Sequence, residues 1–394
     1  MKTKWVVLLL TLLMAAGFAF TASAEVGVTD DEIVIGSHLD LSGPIAGWGT
    51  QAKLGMEMRA KECNDAGGIH GRKIRLVIED NAYDPKKAIM VTNKLIARDK
   101  VFMFVGNMGS PTAGATKPLI SGKKIPQIFP ITAASLFFDP YDRYSFGGWV
   151  PYYDQVRAAV KWFVENKGYT KIGMMYQDDE MGHIMMKGLK DQLAVHGLEV
   201  AAAESYKRGA TDFSSQMAKL KKADVELVCL GTVIRETVGG VKEAKKLNWD
   251  VDMVCFSPGY NSYVVGLCLK AGFSPDGLYA TGQSNYVYPD SELESIREFC
   301  KKHKEWYGKD PDLPTSAGWG GMDYFIKVAE KAGPDLTREK WIDTAESYGV
   351  YKDPIFGGVD VEFTSEQHQG AFDAILSQVK NNKFVKIADV SFRD

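Results

Sequence analysis

The chain lacks the sequence signatures of several common enzyme classes and of DNA-binding proteins. It contains no Gly-x-Ser-x-Gly, no His-Glu-x-x-His and no phosphate-binding P-loop motif. Its six histidines are scattered, and none stands at ligand spacing from a cysteine or a carboxylate. The net charge is −3, with no lysine or arginine stripe to favour nucleic acid. We therefore predict no catalytic residue, no metal site, no cofactor and no nucleic-acid partner.

Cysteines are few and odd in number, so they cannot all form disulfides within the chain. The chain has five, Cys63, Cys229, Cys255, Cys268 and Cys300, so at least one thiol has no partner within the chain. Cys229 and Cys255 lie in apolar runs, where cysteine packs as a small hydrophobic residue. A disulfide between Cys268 and Cys300 is compatible with an oxidising compartment and stays open at this point.

Long hydrophobic runs are missing after the first two dozen residues. At the start, Lys2 and Lys4 precede an apolar stretch that extends to Phe20, and the Ala-Ser-Ala site at 22–24 follows. This pattern predicts a secretory signal peptide over residues 1–24. A membrane anchor is the less favoured alternative, because a spanning helix needs about 20 apolar residues. The mature chain is expected to be periplasmic, without stable membrane insertion.

The mature sequence alternates short apolar runs with longer amphipathic ones. Strands are predicted at 33–36, 74–79, 101–106, 127–131, 172–176, 199–203, 227–231, 253–257 and 278–282. Helices are predicted at 51–66, 86–98, 155–167, 184–196, 213–222, 236–247, 293–306 and 319–332. Asp84 and Ser110, each before a proline, are predicted N-caps. The alternation of strands and helices predicts an α/β protein with parallel sheets. Nine strands would make a large single sheet, so two lobes are favoured.

Two loops that follow predicted strands offer groups suited to an acidic ligand. Residues 101–113 indicate a strand, a glycine turn and a helix start, where free amides and the Ser110 hydroxyl can bind a carboxylate. Residues 130–135 again offer hydroxyls and bare backbone, and ligands of open α/β sheets lie at the carboxyl ends of strands. The alternative role for Ser110 is helix capping alone. Aromatic residues in other loops suit a small-molecule pocket or core packing: Trp48, Trp149, Tyr152, Tyr153 and Tyr260.

An ordered set of motifs resembles a known family. These motifs are Leu-Ser-Gly-Pro at 41–44, Asn-Asp-Ala-Gly-Gly-Ile-His-Gly-Arg-Lys at 64–73, Glu-Asp-Asn-Ala-Tyr-Asp-Pro at 79–85, Thr-Asp-Phe-Ser at 211–214 and Gly-Gly-Val-Asp at 357–360. Together they resemble the leucine/isoleucine/valine-binding periplasmic proteins, the type I solute receptors of branched-chain amino-acid ABC importers.

The resemblance implies two Rossmann-like lobes with parallel sheets, joined by three hinge crossings near Trp149, Thr281 and Phe372. The N-terminal lobe then comprises residues 31–149 and 282–371, and the C-terminal lobe residues 150–281 and 372–394. Such a protein closes on a small molecule by hinge motion and delivers it to a membrane permease. A monomer is the default for the family.

The resemblance also implies a binding site. The family's carboxylate site matches the turn at Gly109 and Ser110 of this chain. The family's second loop of backbone and hydroxyl groups matches residues 131–133. The predicted ligand-binding residues are Trp48, Gly109, Ser110, Ile131, Thr132, Ala133, Trp149, Tyr152, Tyr153, Met181, Val233 and Tyr260.

Departures from the family pattern bear on the ligand. Gly259 occupies the position of the acid that pairs with a ligand ammonium, and Val233 stands in a stretch where a tyrosine is usual. Tyr83 and Gly109 replace the cysteines of the family's first disulfide. A buried ammonium without a carboxylate partner is costly. We therefore expect an aromatic or other non-amino organic acid.

Other ligands and roles stay open. An amide or a branched-chain keto or fatty acid also fits the pattern. The acids at 178–180 could supply the missing carboxylate, so a free amino acid is the main alternative ligand. A periplasmic sensory receptor is the rival role, and a secreted enzyme is less favoured.

Overall fold

The computed structural model describes residues 25–393, which form two lobes, each built on its own sheet. The predicted signal peptide lies outside these residues. The strands are β1 (Glu32–Leu39), β2 (Lys73–Asp80), β3 (Met103–Val105), β4 (Gln127–Ile128), β5 (Ser145–Phe146), β6 (Ile172–Gln177), β7 (Ala202–Tyr206), β8 (Leu227–Gly231), β9 (Asp252–Phe256), β10 (Tyr279–Gly282), β11 (Ala374–Lys380) and β12 (Lys383–Val390). The helices are α1 (Ala46–Asp65), α2 (Pro85–Ala97), α3 (Ser110–Gly122), α4 (Tyr152–Lys167), α5 (Glu180–Val195), α6 (Ser214–Lys222), α7 (Ile234–Lys246), α8 (Ser262–Lys270), α9 (Glu294–Tyr307), α10 (Leu313–Ala332) and α11 (Arg338–Glu346).

The first lobe is built on a five-stranded sheet in the order β2–β1–β3–β4–β5. All of its strand pairs are parallel. In β1 the seven residues 33–39 are all buried, as expected for a parallel strand that is covered on both faces. The predicted parallel α/β architecture is therefore confirmed in this lobe.

The second lobe is built on a seven-stranded sheet in the order β12–β11–β10–β9–β8–β6–β7. Strands β6 to β10 pair in parallel. Strand β11 runs antiparallel to both β10 and β12, so the last two strands form a hairpin on one edge. This hairpin, β5, α8 and α11 are the elements that the sequence analysis did not predict.

Helix starts explain how the chain turns after its strands. Asp84 caps α2, because its side chain accepts a hydrogen bond from the Lys87 amide at 2.8 Å. This prediction is confirmed. The predicted cap at Ser110 is wrong: Gly109 is the N-cap of α3, and Ser110 is the first helical residue. The Ser110 hydroxyl is therefore available for a partner outside its own helix.

Helices α1 and α10 pack with their backbones close together. A Cβ atom at Gly55 would lie 1.9 Å from the Thr315 carbonyl oxygen, and one at Gly318 would lie 2.1 Å from the Ala52 carbonyl oxygen. Only glycine permits this approach. Most of α10 is buried, so this helix forms the centre of the first lobe although it comes from the later part of the chain.

The chain passes between the two sheets three times. It leaves the first sheet after β5, returns after β10 and crosses again before β11. These crossings are tied to each other: the Gln283 side chain accepts from the Val150 amide at 2.7 Å and donates to the Gly148 carbonyl at 3.1 Å. Gly147 pairs with the segment before β11, donating to His368 O at 2.9 Å and accepting from the Gly370 amide at 2.8 Å. The crossings therefore form one connected hinge region.

All five cysteines are free and buried. Cys268 lies in a hydrophobic cluster of the second lobe, whereas Cys300 packs in a different cluster with residues of the first lobe. The Cys268–Cys300 disulfide is therefore not formed. Burial raises the pKa of the Cys268 and Cys300 thiols to about 12, which makes them unreactive at neutral pH.

Residues 25–393 contain neither a membrane-spanning helix nor a cluster of metal-ligating side chains. No helix in this range is long and apolar enough to cross a bilayer. No group of three or more histidine, cysteine, aspartate or glutamate side chains in the same range is placed to hold a metal ion.

Candidate ligand-binding site

A cavity lies between the two lobes, where loops at the carboxyl ends of parallel strands face each other. Its empty space is about 770 Å³, including the part that opens to solvent. This position agrees with the rule that α/β sheets bind ligands beyond the carboxyl ends of their strands. All of the predicted ligand-binding residues except Tyr153 line it: Trp48, Gly109, Ser110, Ile131, Thr132, Ala133, Trp149, Tyr152, Met181, Val233 and Tyr260.

Two hydroxyl groups meet at one end of this interlobe cavity. The loops after β3 and β4 stay paired beyond their strands through a bridge between Met108 and Ile131, which places Ser110 beside Thr132. Their hydroxyl oxygens are 2.7 Å apart and both side chains are buried. The Thr132 oxygen also accepts a hydrogen bond from the Ala134 amide at 3.2 Å. Its own proton is therefore free to be donated to Ser110 or to a ligand.

Tyr152 completes this polar corner, which we define as Ser110, Thr132, the Ala133 amide and the Tyr152 hydroxyl. Burial raises the pKa of Tyr152, while hydrogen bonds from the other three groups act in the opposite direction. The phenol is therefore neutral at physiological pH and can donate a hydrogen bond. The corner also lies at the start of α3, whose first amides and dipole favour an anion.

A glycine is required next to the corner. Gly109 has a φ of +94°, and a Cβ atom there would lie 2.8 Å from Cε2 of Tyr83. Gly109 thus lets the Tyr83 ring pack against the loop that carries Ser110.

The remaining walls are mainly apolar or aromatic, with polar groups that are already engaged. The Trp48 indole donates to Pro258 O of the opposite lobe at 3.0 Å, and the Trp149 indole donates to Pro130 O at 2.6 Å. The Tyr260 hydroxyl is paired with Ser377 at 2.8 Å. These rings therefore offer the cavity their apolar faces rather than free polar atoms.

None of the described residues that line the cavity carries a charge. The acids at 178–180 do not change this. Asp179 caps α5 and is bound by Gln177 and Arg208, at 2.5 and 3.1 Å. Asp178 pairs with His183 at 3.0 Å. The arrangement can hold a carboxylate by neutral donors, and within residues 25–393 no carboxylate side chain lines the wall to pair with an ammonium group.

Gly259, the position compared with the family's acid, does not line the cavity. A Cβ atom there would lie 2.7 Å from Oγ1 of Thr237 and 3.0 Å from Cβ of Cys255. This position therefore faces the interior of the second lobe.

Tyr153 is the one predicted site residue that lies elsewhere. Its hydroxyl donates to Asp191 at 2.6 Å, and its ring lies under Lys187 and Arg157 at 4.7 and 5.4 Å. Adjacent residues on a helix point about 100° apart, so Tyr152 faces the cavity and Tyr153 faces α5.

Sequence reasoning missed several residues of the site. Tyr83 lines the cavity from the loop after β2, and its only sequence signal was the missing cysteine. Gln155 lies in the stretch at 149–155, where only the aromatic residues were predicted to belong to the site. Its amide binds both the Val150 carbonyl at 2.7 Å and the Ser257 hydroxyl at 3.1 Å, so it links the hinge region to the second lobe.

Comparisons with known proteins agree with this geometry. Residues 32–383 match the family described as "Periplasmic binding protein". A "Leucine-, isoleucine-, valine-, threonine-, and alanine-binding protein" of Pseudomonas aeruginosa is 26% identical over 318 residues, covering 81% of this chain and 83% of that protein.

Solved structures share the fold. A fatty acid ABC transporter substrate-binding protein from Thermomonospora curvata superposes with a TM-score of 0.84 at 22% identity, over 93% of this chain and 94% of the other. A branched-chain amino acid ABC transporter protein from Thermus thermophilus with bound valine gives a TM-score of 0.81 at 19% identity, over 91% and 97%. Proteins named for quite different ligands thus adopt this architecture.

Proposed function

This chain belongs to the periplasmic binding protein family, and from that premise we propose that it captures a small carboxylate-bearing molecule by hinge closure and delivers it to an ABC importer. Membership confirms the resemblance seen in the sequence, and the relatives are substrate-binding proteins rather than enzymes. The ligand class is an aromatic or other non-amino organic acid. The protein acts in the periplasm as a monomer, after removal of residues 1–24.

One observation carries this proposal: the interlobe cavity has a corner of neutral donors, and no charged side chain is among the residues of 25–393 that line it. Hydrogen bonds to a charged partner are stronger than neutral ones, by roughly a factor of two. A carboxylate in the corner can be bound by Ser110, Thr132, Tyr152 and the start of α3. Its apolar remainder then lies against the rings of Trp48 and Trp149.

The same cavity disfavours a free α-amino acid. An ammonium group bound there loses its hydration, and no described residue of the wall offers it a carboxylate. Burying an unpaired charge costs a free energy of roughly several kcal/mol. This argument favours cargo without an amino group.

A branched-chain amino acid is the second candidate, because the Pseudomonas aeruginosa relative is named for such ligands. Amino-acid binding would require the ammonium to be held by backbone carbonyls or by water. A sensory role that passes the closed form to a membrane signalling protein is the alternative to transport.

The domain limits follow from the same proposal. Residues 31–149 with 282–371 form the first lobe, and residues 150–281 with 372–394 the second. The hinge crossings near Trp149, Thr281 and Phe372 then bend as the lobes close.

A melting screen with matched ligand sets tests the proposal. Each set keeps one carbon skeleton: phenylacetate, phenylacetamide and phenylglycine in one, and 4-methylpentanoate, its amide and leucine in the other. A ligand at a hundred times its Kd stabilises the protein by about 2.7 kcal/mol. We expect the acids to raise Tm and the amino acids to raise it less. A leucine shift larger than that of 4-methylpentanoate would overturn the proposed ligand class.

A further inference from the structure

A second contact between the lobes lies beside the interlobe cavity, at Tyr83. This residue belongs to the first lobe, in the loop after β2, and its ring forms part of the cavity wall. The guanidinium carbon of Arg208, which follows β7 in the second lobe, lies 5.3 Å from the centre of the Tyr83 ring. Cation–π contacts occur within about 6 Å. Tyr83 thus contacts both the cavity and a cation of the opposite lobe.

Tyr83 is held in a strained backbone position by a buried network. Its φ is +57°, which is rare for a residue with a bulky side chain. The Tyr83 amide donates to the Asn81 side chain at 2.8 Å, and the amide nitrogen of Asn81 contacts Nδ1 of His38 at 2.9 Å and Met108 O at 3.2 Å. Strain of this kind persists where the surroundings fix it, and such positions cluster at ligand clamps and switch regions.

Arg208 is fixed just as firmly on the other side. Its guanidinium donates to Asp179 at 3.1 Å, and Asp179 accepts from the Met181 and Gly182 amides at the start of α5. The Tyr83 side chain is 4% exposed. Separating the lobes must therefore expose the ring and remove the guanidinium from its face.

We propose that Tyr83 and the Arg208–Asp179 pair form a closure latch, a contact that exists only when the lobes are closed and that stabilises this form independently of the chemistry of the ligand. This inference rests on the proposed capture by hinge closure. The latch positions the cavity wall and sets affinity and release rate, whereas the polar corner selects the ligand's head group. Arg208 does not line the cavity, so it acts on binding through its contact with Tyr83 in the closed form.

The first test measures closure without any ligand. Spin labels on Met90→Cys and Val195→Cys report the distance between the lobes, since these exposed side chains lie on α2 and α5 and all native thiols are buried. The double variant Asp179→Asn/Arg208→Met removes both charges together and keeps a residue that can cap α5. We expect a closed fraction in the parent protein and a closed-to-open ratio about 2- to 30-fold lower in the variant. A parent without a closed fraction, or an unchanged ratio, overturns the latch.

The second test measures binding of phenylacetate and phenylacetamide. The double variant should have lower affinity for both probes, by the same factor and mainly through faster dissociation. Tyr83→Leu should then reduce affinity less in the double variant than it does in the parent protein. Lys331→Met removes a cation that lies 4.8 Å from the Tyr348 ring within one lobe, and it should leave binding unchanged. Additive losses would contradict the latch. If neither probe binds, the proposed function fails while the distance measurement still decides the latch.

Discussion

Replacing Ser110 with alanine removes one hydroxyl from the polar corner and leaves the rest of the cavity in place. The Ser110 and Thr132 oxygens are 2.7 Å apart and buried, so both protons can turn toward a carboxylate when it binds. A hydrogen bond to a charged group contributes about 1.5–3 kcal/mol, and a neutral one about 0.5–1.5 kcal/mol. Since each 1.4 kcal/mol is about tenfold in affinity, Ser110→Ala should weaken phenylacetate about 10- to 150-fold and phenylacetamide about 2- to 10-fold.

Titration calorimetry of both probes against parent and variant gives the two losses directly. Ser145→Ala is the matched control, because Ser145 is equally buried, lies in β5 outside the cavity, and has a hydroxyl without a hydrogen-bond partner among the described residues. It should leave both affinities unchanged. Equal losses for the acid and the amide in Ser110→Ala would refute the anion-binding role of the corner.

Three further changes address other parts of the structure. Trp48→Phe removes the indole bond to Pro258 O of the opposite lobe, and calorimetry should show an affinity about 2- to 10-fold lower for acids and amides alike; unchanged affinity would contradict the contact. Gly109→Ala places a Cβ 2.8 Å from the Tyr83 ring at a φ of +94°, so urea unfolding should show a loss of about 1–3 kcal/mol, and an unaltered midpoint would refute the close packing. Asp312 is the N-cap of α10, and burial raises its pKa to about 6, against about 3.9 in an unfolded chain. Protonation therefore stabilises the fold: relative to Asp312→Asn, the parent should be most stable below pH 4 and lose about 3 kcal/mol as pH rises through 6, and parallel pH profiles would contradict this.

The central strands of both sheets could be predicted because they are continuous apolar runs. Strand β8, at Leu227–Gly231, is buried throughout and was found with the right limits. Strand β12 was not predicted, because exposed residues interrupt its burial. It pairs antiparallel at the edge of the sheet, where the apolar pattern of a strand is weaker than in the centre. Strand β5 has only two residues and depends on pairing with β4. Its existence is a tertiary effect that no local pattern contains.

The candidate site was predictable where it follows directly from strand ends. Ser110 and Thr132 both come shortly after parallel neighbours, so the sheet itself brings them together. Tyr83 and Gln283 join the site through the packing of one lobe on the other and through the hinge region, which depend on distant segments. Their roles required the structure.

The packing of α1 against α10 constrains the order in which this protein can fold. Gln51 and Thr315, which touch across these helices, are 264 residues apart in sequence. A chain released before residue 313 leaves the inner face of α1 uncovered, although all five strands of its sheet are present. The packing of α1 therefore cannot be completed until the second-lobe residues 150–281 and then α10 itself have been synthesised.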